Sequence, residues 1–426
     1  MKIAIIGGGI AGNVAAHHLH RAHDITVYES AGHIGGHTHT HSIALDDESE
    51  RHEIDTGFIV FNERTYPNFI ALLAELGVQS QPSAMSFSVR NAHSGLEYNG
   101  TTLNSLFAQR RNLLRPSFHC MLRDILRFNR EAPALLESVM EIELGDYLEQ
   151  HGYSREFMRD YLIPMGAAIW STDPARMLSF PARFFVRFFH NHGMLTVNDR
   201  PQWRAIRGGS ARYVEKLVAP FCHRIRLNTP VESVRRMSDR VMIKARGAEA
   251  ERFDQVFIAC HADQALRLLA DATPLEREVI GAFDYQENEA VLHTDATLLP
   301  RARRAWAAWN YHLPSAQAAP KATLTYNMNI LQDLRSRHTF CVTLNDTATI
   351  APDRILKRLT YHHPLYTPAS VAAQPRQHEV NGANRTFYCG AYWRYGFHED
   401  GVVSALNALQ HFELDNRAQR HLSRVA

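Results

Sequence analysis

The sequence predicts an α/β fold, in which a parallel sheet is wound with helices and carries an inserted domain of mixed α and β structure. Near the start, an apolar strand runs directly into spaced glycines and an amphipathic stretch, and a second strand ends at an acidic residue. Strand and glycine patterns of the same kind return towards the end of the chain. With 426 residues, 45% hydrophobic and 21% charged, the chain has apolar material for more than one core, which excludes a disordered or fibrous protein.

The first predicted element is a buried parallel strand over residues 3–6, because its β-branched residues run without polar alternation. Gly7, Gly9 and Gly12 follow with the spacing GxGxxG and open an amphipathic helix over residues 13–21. The first glycine permits a tight turn, the second lets backbone N–H groups approach a diphosphate, and the third allows close packing of helix on strand. The pattern therefore predicts a dinucleotide site at the positive end of this helix.

The second predicted strand covers residues 25–28 and ends at Glu29, which lies 17 positions after Gly12. A carboxylate at this place is suited to accept hydrogen bonds from ribose hydroxyls. It favours an unphosphorylated ribose, so we expect FAD or NAD rather than NADP.

His37, His39 and His41 alternate and would share one face of a strand, a spacing compatible with a metal. No carboxylate or cysteine nearby completes a ligand set, and 25 histidines are scattered through the chain. We therefore predict that these residues bind no metal.

Glu29, the glycines at 32, 35 and 36 and the segment Glu53 to Phe58 together resemble the amino-terminal signature of the flavin-containing amine oxidase superfamily. This superfamily includes monoamine oxidases, phytoene desaturases and protoporphyrinogen oxidases. The resemblance implies FAD, with Gly35 and Gly36 at its phosphates and ribityl chain and the segment 56–58 at its isoalloxazine. His37 stands where the family has arginine, so a fixed positive charge is lost although an imidazole can still donate.

Gly390 and the segment 391–401 resemble the last FAD motif of the same superfamily, which precedes a helix predicted here over residues 402–412. A helix amino terminus stabilises the negative charge that reduction places on the flavin. The resemblance places Phe397 and His398 beside the ring and the backbone of 399–402 against the cofactor. Alanine and tyrosine follow Gly390 where the family usually has an acidic residue, so the ribityl contact is not located.

In the middle of the chain, residues 203–221, 225–231 and 253–260 resemble the glycine-rich helix, the adenine-contacting strand and the returning strand of the family, with Val231 in the place of the adenine-contacting valine. The resemblance divides the chain into a discontinuous FAD-binding domain, 1–80, 200–285 and 380–426, and a substrate or cap domain, 81–199 and 286–379. In the latter, 103–140 and 146–190 have helical periodicity, while 323–326 and 340–344 have the pattern of strands.

The candidate cofactor-binding residues are Gly7, Gly9, Ile10, Ala11, Gly12, Glu29, Ser30, Gly35, Gly36, His37, Thr56, Gly57, Phe58, Val231, Gly390, Phe397, Glu399, Asp400 and Val402. No catalytic residue is identified by the sequence, and the candidates are Phe397, His398 and Trp309. Trp306, Trp309, Asn310 and Tyr311 either line a substrate pocket or form an aromatic core.

Four sequence segments resemble a narrower group of bacterial FAD-dependent amine-oxidase-like proteins. These segments are 55–67, 168–171, 325–332 and 390–405. A similar module forms the amino-terminal region of plant cyclopropane fatty acid synthases. We therefore expect an FAD-dependent oxidoreductase that takes a hydride from a small molecule or lipid, with a fatty-acyl desaturase or oxidase as the leading form. The strand 288–293 has no lysine to hold a water under the flavin, which weakens the alternative of an amine oxidase. A second alternative is a non-catalytic, FAD-stabilised accessory protein for a lipid-modifying methyltransferase.

The net charge of +2 provides no field that draws the chain to nucleic acid, so none is expected as a partner. Five widely spaced cysteines without a CxxC pair fit a reducing cytoplasm. We expect neither a signal peptide nor a segment of about 20 apolar residues that could span a bilayer. Arginines among apolar residues form either a cationic face for the inner membrane surface or the solvated side of core helices. These arginines are Arg110, Arg111, Arg115, Arg123, Arg127, Arg130, Arg183 and Arg187.

Overall fold

The computed structural model describes residues 1–138, 141–314 and 321–425. The predicted domains and helices also include residues 139–140, 315–320 and 426, which lie outside the described residues. In chain order the strands are β1 (Lys2–Ile6), β2 (Asp24–Tyr28), β3 (Thr40–Ile43), β4 (His52–Asp55), β5 (Val60–Asn62), β6 (Ser80–Ser83), β7 (Phe87–Asn91), β8 (Leu96–Asn99), β9 (Trp203–Ile206), β10 (Ile225–Arg226), β11 (Val231–Arg236), β12 (Val241–Ala245), β13 (Glu251–Phe253), β14 (Gln255–Ile258), β15 (Tyr285–His293), β16 (Trp309–Leu313), β17 (Thr323–Asn327), β18 (Cys341–Leu344), β19 (Ile355–Pro364) and β20 (Thr386–Tyr388). The helices are α1 (Ile10–Leu19), α2 (Pro67–Glu75), α3 (Leu103–Leu106), α4 (Pro116–Glu131), α5 (Leu144–Gln150), α6 (Arg155–Phe157), α7 (Ile163–Trp170), α8 (Ala182–Asn191), α9 (Ala211–Val218), α10 (Ala262–Leu268), α11 (Pro274–Ile280), α12 (Met328–Leu331), α13 (Pro368–Ala373), α14 (Gln377–Val380) and α15 (His398–Val425).

A five-stranded parallel sheet, ordered β10-β2-β1-β14-β20, confirms the predicted α/β class. Its central strand is buried on both faces, since Ile3, Ala4 and Ile5 are fully shielded from solvent. Ile3 and Ile5 pack into a core with α1 and α15, whereas Ala4 faces a second core built with β11–β13. Burial on both faces explains why this strand is continuously apolar in the sequence.

A seven-stranded sheet, ordered β19-β15-β18-β17-β16-β7-β8, forms the second large layer. Its strands are antiparallel except where β16 pairs with β7. Val89, Tyr98 and Leu324 of this sheet share a core with Phe128 and Phe185 of α4 and α8. The sheet draws its strands from the segments 87–99 and 285–364; the proposed division into two domains stays a prediction.

Three predicted elements have different limits in the structure. The segment 225–231 is not one strand, because Asn228 takes a left-handed conformation with φ of 51° and directs Val231 into a separate sheet with β12 and β13. The first helix begins at Ile10, three residues before its predicted start. The last helix begins at His398 and extends to Val425, beyond the predicted range 402–412.

None of the helices within the described residues is long and apolar enough to cross a bilayer.

Candidate functional site

A cleft of about 1070 Å³ lies between the two large sheets, lined by the carboxyl ends of β1, β2 and β14 and by residues of β19 and α8. Small-molecule sites typically measure about 300–1,000 Å³, so this cleft has room for a large ligand and a second molecule. It has a nucleotide half around the glycine loop after β1 and a substrate chamber of aromatic side chains.

The glycine loop, residues 7–12, has the geometry that its spacing predicts. Gly7 turns with φ of +107°, and a Cβ there would lie 2.9 Å from the backbone of Ala259 on the neighbouring strand end. A Cβ on Gly12 would lie 1.9 Å from the Gly7 carbonyl oxygen, so Gly12 packs helix on loop and does not line the cleft. A Cβ on Gly9 would meet nothing within 4 Å, because Gly9 faces open space in the cleft. No side chain caps α1, whose first residues Ile10 and Ala11 line the cleft.

Glu29 lies at the end of β2 and lines the cleft together with Ser30. One carboxylate oxygen accepts from the Gly8 backbone N–H at 2.8 Å, and the other accepts from the Ala31 N–H at 2.8 Å. The sequence did not predict the first of these two bonds, which holds the glycine loop against the end of β2. A carboxylate has about four lone-pair positions, so Glu29 can still accept from a hydroxyl group of a ligand.

The segment 35–37 contacts the glycine loop directly. The Gly35 N–H donates to the Gly8 carbonyl at 2.8 Å, and a Cβ on Gly36 would lie 3.0 Å from the Gly9 Cα. His37 follows and lines the cleft; its Nε2 atom is buried and has no hydrogen-bond partner among the described residues. Burial lowers the pKa of His37 to about 4, so the imidazole is neutral at pH 7.

Gly57 and Phe58 line the cleft beside His37. The Phe58 N–H donates to the His37 carbonyl at 2.8 Å, and a Cβ on Gly57 would lie 2.1 Å from that oxygen. Thr56 does not line the cleft, because its hydroxyl group contacts the His39 carbonyl and the Tyr361 hydroxyl at 3.1 Å and 2.8 Å. The Thr56 side chain therefore holds the segment in place, and its predicted contact with a cofactor stays a prediction.

Val231, Gly390, Phe397 and His398 all line the cleft. The ring of His398 stacks on Phe58 with centroids 3.6 Å apart. Its Nε2 is hydrogen-bonded to the hydroxyl groups of Thr38 at 3.0 Å and Tyr213 at 2.8 Å. Burial holds the pKa of His398 well below its usual range. These contacts make His398 a neutral, fixed wall of the site at pH 7.

Glu399, Asp400 and Val402 do not line the cleft. The Glu399 carboxylate accepts from the backbone N–H groups of Asn68 and Phe69 at the start of α2, and Asp400 accepts from the N–H groups of Tyr395 and Phe397. Val402 is buried in the core. Their side chains thus order the elements around the cleft, while the predicted backbone contact with a cofactor stays a prediction.

The substrate chamber is formed by aromatic side chains from several distant segments. Its aromatic lining includes Tyr161, Trp170, Phe188, Trp309, Tyr326 and Tyr366. Sequence reasoning identified only Trp309 among these, and no spacing in the sequence connects them. Trp306, Asn310 and Tyr311 do not line the cleft: the Trp306 indole donates to the Pro300 carbonyl, Asn310 bonds Ser88 and Ala307, and Tyr311 lies in the core.

Formal charge is scarce in the cleft. Within the described residues, Glu29 is the acidic side chain of the lining, and Arg200 and Arg267 are its permanently charged basic side chains. Eight histidines also line it, of which the sequence singled out three, His37, His39 and His398. The described part of the chain brings no three or more His, Cys, Asp or Glu side chains together as a metal site.

A glycine loop between parallel strand and helix, a carboxylate on the next strand and an adjoining apolar chamber define a dinucleotide-binding oxidoreductase. The chain matches the family of flavin containing amine oxidoreductases over residues 10–294, more than half of its length, and belongs to that family. It is therefore an FAD-dependent enzyme of the amine oxidase type.

Solved structures support the same fold. A cyclohexylamine oxidase from Brevibacterium oxydans IH-35A aligns with a TM-score of 0.71 at 15% identity, covering 98% of this chain and 99% of that chain. A CLA-producing fatty acid isomerase from P. acnes aligns with a TM-score of 0.67 at 15% identity, covering 96% and 98%. A putrescine oxidase bound to putrescine gives 0.67 at 12% identity, covering 97% and 99%. At these identities the likeness concerns the fold alone. No curated protein matches the sequence.

The nucleotide half of the cleft fits FAD. Gly9 leaves open space where a diphosphate must approach backbone N–H groups, and the unpaired Nε2 of His37 offers a hydrogen-bonding atom beside it. Glu29 would take the ribose and Val231 the adenine end, while Phe58, Phe397 and His398 would surround the ring. When bound, FAD supplies a ring that accepts a hydride equivalent.

Proposed function

We propose that this FAD-dependent oxidoreductase takes a hydride equivalent from an apolar substrate of the fatty-acyl lipid class. The observation that carries the proposal is the chemistry of the substrate chamber. Its described lining is mostly aromatic and aliphatic, with His192, Arg200 and Gln202 among the polar members. The acidic side chain of the cleft, Glu29, lies in the nucleotide half. An ammonium group buried in such a chamber would lack a counter-charge, whereas an acyl chain would bury apolar surface.

The residues of the chamber would position the acyl chain and exclude water from it. Phe188 is 3% exposed and contacts Trp170, Tyr395 and Phe397, with ring centroids 4.9 to 5.5 Å apart. Such close aromatic packing makes a stiff wall, and a stiff wall orients a flexible chain at low entropic cost.

Exposed apolar side chains of the segment 103–126 support access to a membrane. Leu103 and Leu114 are 77% and 89% exposed, and Leu113 and Leu126 are also exposed. Arg110 and Arg111 lie among them in the sequence and donate to amide and carbonyl oxygens, and within the described residues neither forms an ion pair with a carboxylate. Apolar side chains interleaved with arginines fit an anionic membrane surface, from which an acyl substrate could enter.

The membrane contact is tested by flotation with vesicles of phosphatidylcholine, with and without phosphatidylglycerol. We expect the chain to float with the anionic vesicles at low salt and to be released at high salt. The double variant L113Q/L114Q should lose this association, while L227Q, at an exposed leucine elsewhere, should keep it. Equal flotation of both variants would contradict the contact.

An amine oxidase is the second candidate. The family, and the likeness in fold to a cyclohexylamine oxidase and a putrescine oxidase, favour it. An uncharged amine could enter the aromatic chamber. The described lining contains no lysine, in keeping with the expectation that the lysine often found beneath the flavin is absent.

A third candidate is an accessory protein that binds a lipid-modifying methyltransferase and keeps FAD for stability. It is supported by the resemblance of the sequence to the amino-terminal module of plant cyclopropane fatty acid synthases. This candidate requires no turnover.

Anaerobic titration of the flavin-loaded protein separates the three candidates. We expect fatty acids or phospholipids to bleach the visible absorbance of the bound flavin, and amines to leave it unchanged. Bleaching by amines alone, with hydrogen peroxide released in air, would replace the lipid proposal with an amine oxidase. Absence of bleaching by either class would favour the accessory protein.

A further inference from the structure

The nucleotide half of the cleft offers little permanent positive charge to a diphosphate. Of the two arginines in the described lining, Arg267 is paired with Asp263 at 2.7 Å, and Arg200 lies beside Pro201 and Trp203 at the substrate chamber. The position after Gly35 and Gly36, where an arginine would stand in the family pattern, is His37. A dianionic group would therefore enter a site without a fixed counter-charge.

Three histidines lie beside the glycine loop, and we name His37, His261 and His363 the imidazole cluster. His37 directly follows Gly36, which contacts Gly9. His261 directly follows the segment 259–260, whose backbone contacts Gly7. The ring centroid of His37 lies 5.8 Å from that of His261 and 5.6 Å from that of His363. The three rings thus come from separate segments to one place at the loop.

The surroundings of the imidazole cluster are mostly uncharged. Asn288 donates to Nδ1 of His363 at 2.9 Å, and Tyr285 and Tyr361 stack on His261 and His37. The titratable and charged groups that face the cluster from its neighbouring elements are Glu29, Cys260, Asp263, Arg267, Tyr285, Tyr361, His362 and His398. Arg267 and the neighbouring histidines oppose protonation of the cluster, whereas the Asp263 carboxylate, which is paired with Arg267, favours it.

We propose that the imidazole cluster binds the FAD diphosphate and takes up a proton when it does, so that FAD is held by histidines that become charged on binding. Without the ligand, burial lowers the pKa of His37 to about 4 and the pKa values of His261 and His363 to about 3, so all three are neutral at pH 7. A diphosphate in contact with them favours the charged form and raises these pKa values.

The sign of the pH dependence follows from linkage. A group whose pKa is higher in the complex than in the free protein strengthens binding as the pH falls through the pKa of the complex. The affinity for FAD should therefore decrease with rising pH until the cluster is neutral in the complex as well. The slope is about one factor of ten per pH unit for each proton taken up.

Equilibrium dialysis of the full chain against FAD between about pH 6 and about pH 8.5, where an imidazole near its ordinary pKa titrates, tests the proposal. The dissociation constant is read from the fluorescence of free FAD. We expect it to rise with pH, and we expect titration calorimetry in two buffers of different ionisation enthalpy to report proton uptake. The variant H37R should bind FAD more tightly at high pH with a weaker pH dependence, since its charge is permanent.

Removal of a titrating ring supplies the complementary evidence. H37Q can donate a hydrogen bond but cannot become charged, so it should bind more weakly at low pH and show a shallower slope. H261Q makes the same test at a second position if H37Q does not fold. The matched control is H192Q, because His192 lines the same cleft but packs on Phe188 and Trp203 of the substrate chamber.

The proposal is overturned if the dissociation constant for FAD does not change with pH. It is also overturned if this constant changes with pH equally in the wild type and in whichever of H37Q and H261Q folds. A loss of slope in H192Q equal to that in H37Q would also overturn it. Each measurement concerns FAD binding, so the result does not depend on which substrate the enzyme oxidises.

Discussion

The two halves of the cleft recognise their ligands with different parts of the chain. In the nucleotide half, the backbone of Gly7 to Gly9 and the strand ends form much of the surface, Glu29 fixes the loop, and the imidazole cluster lies beside it. In the substrate chamber, side chains form the surface, and many of them are aromatic, such as Phe188 and Trp309. A cofactor that does not vary is bound by backbone groups of glycines at fixed spacing. A substrate that can vary is bound by side chains, which single substitutions can change one at a time.

The strongest test of this contrast is at the glycine loop. In G12A the new Cβ would lie 1.9 Å from the Gly7 carbonyl oxygen, so we expect loss of folded, flavin-loaded protein. In G9A the Cβ would project into open cleft, so we expect a folded protein that binds FAD poorly. Circular dichroism and flavin absorbance of the purified variants separate the two effects. G100A, where a Cβ also meets nothing within 4 Å, is the matched control.

If G9A binds FAD as tightly as the wild type, the backbone of the loop does not approach the diphosphate, and the contrast between the two halves fails.

The next largest effect is expected at a buried ion pair behind the nucleotide half. Glu276 accepts from Arg236 at 2.7 Å and from Tyr388 at 2.6 Å, and both charged side chains are at most 3% exposed. E276Q should lower the free energy of unfolding by about 2 kcal/mol, because the buried guanidinium loses one of its two carboxylate partners and keeps only Asp271. E278Q, on the exposed side of the same helix, should change it by less than about 1 kcal/mol. Denaturant titration gives both values.

The same pair predicts the response to acid. Burial alone would raise the pKa of Glu276, but hydrogen bonds from Arg236, Thr273 and Tyr388 lower it to about 2. The ordinary value in an unfolded chain is about 4.3, so the stabilisation is complete above that pH and is lost as the pH falls towards 2. Wild type should lose stability over this window more steeply than E276Q. Parallel curves for the two proteins would show that the pair does not titrate as described.

These cases show which features a sequence can reveal. The glycine spacing and Glu29 could be predicted because few backbone conformations allow a loop to approach a diphosphate. The residues that such a loop needs also lie within a short range of the sequence. The aromatic chamber could not be predicted, since Phe188, Trp309 and Tyr366 meet only after three segments have folded. His261 and His363 were missed for the same reason. The sequence also did not predict that the Glu399 carboxylate accepts from the first N–H groups of α2, while its predicted backbone contact with the cofactor stays a prediction.

A smaller effect is expected in the substrate chamber. F188L removes part of a ring that is 3% exposed, so the free energy of unfolding should fall by about 1–2 kcal/mol. Flavin content should stay at the wild-type level, because Phe188 lies outside the nucleotide half. Thermal unfolding and the ratio of flavin to protein absorbance check the two statements. A parallel loss of flavin would indicate that the halves are coupled.

The smallest effect is expected where the halves meet. Tyr213 donates or accepts hydrogen bonds with Thr38 at 2.7 Å and His398 at 2.8 Å. Y213F keeps the ring, and Thr38 still contacts His398 at 3.0 Å, so the loss should be about 1 kcal/mol. Denaturant titration measures it. A loss above about 3 kcal/mol would mean that His398 depends on Tyr213 alone.

The order of strands in the parallel sheet has a consequence for biosynthesis. β1 and β2 emerge first from the ribosome, but β20 and the wall from Gly390 to His398 are translated after every other strand. We therefore expect the β14 edge of the sheet to stay unpaired from the synthesis of β14 until β20 has been translated, and the flavin pocket to close after that. We therefore expect FAD to enter only after the wall from Gly390 to His398 has been synthesised, and a chain that ends before β20 to retain no flavin.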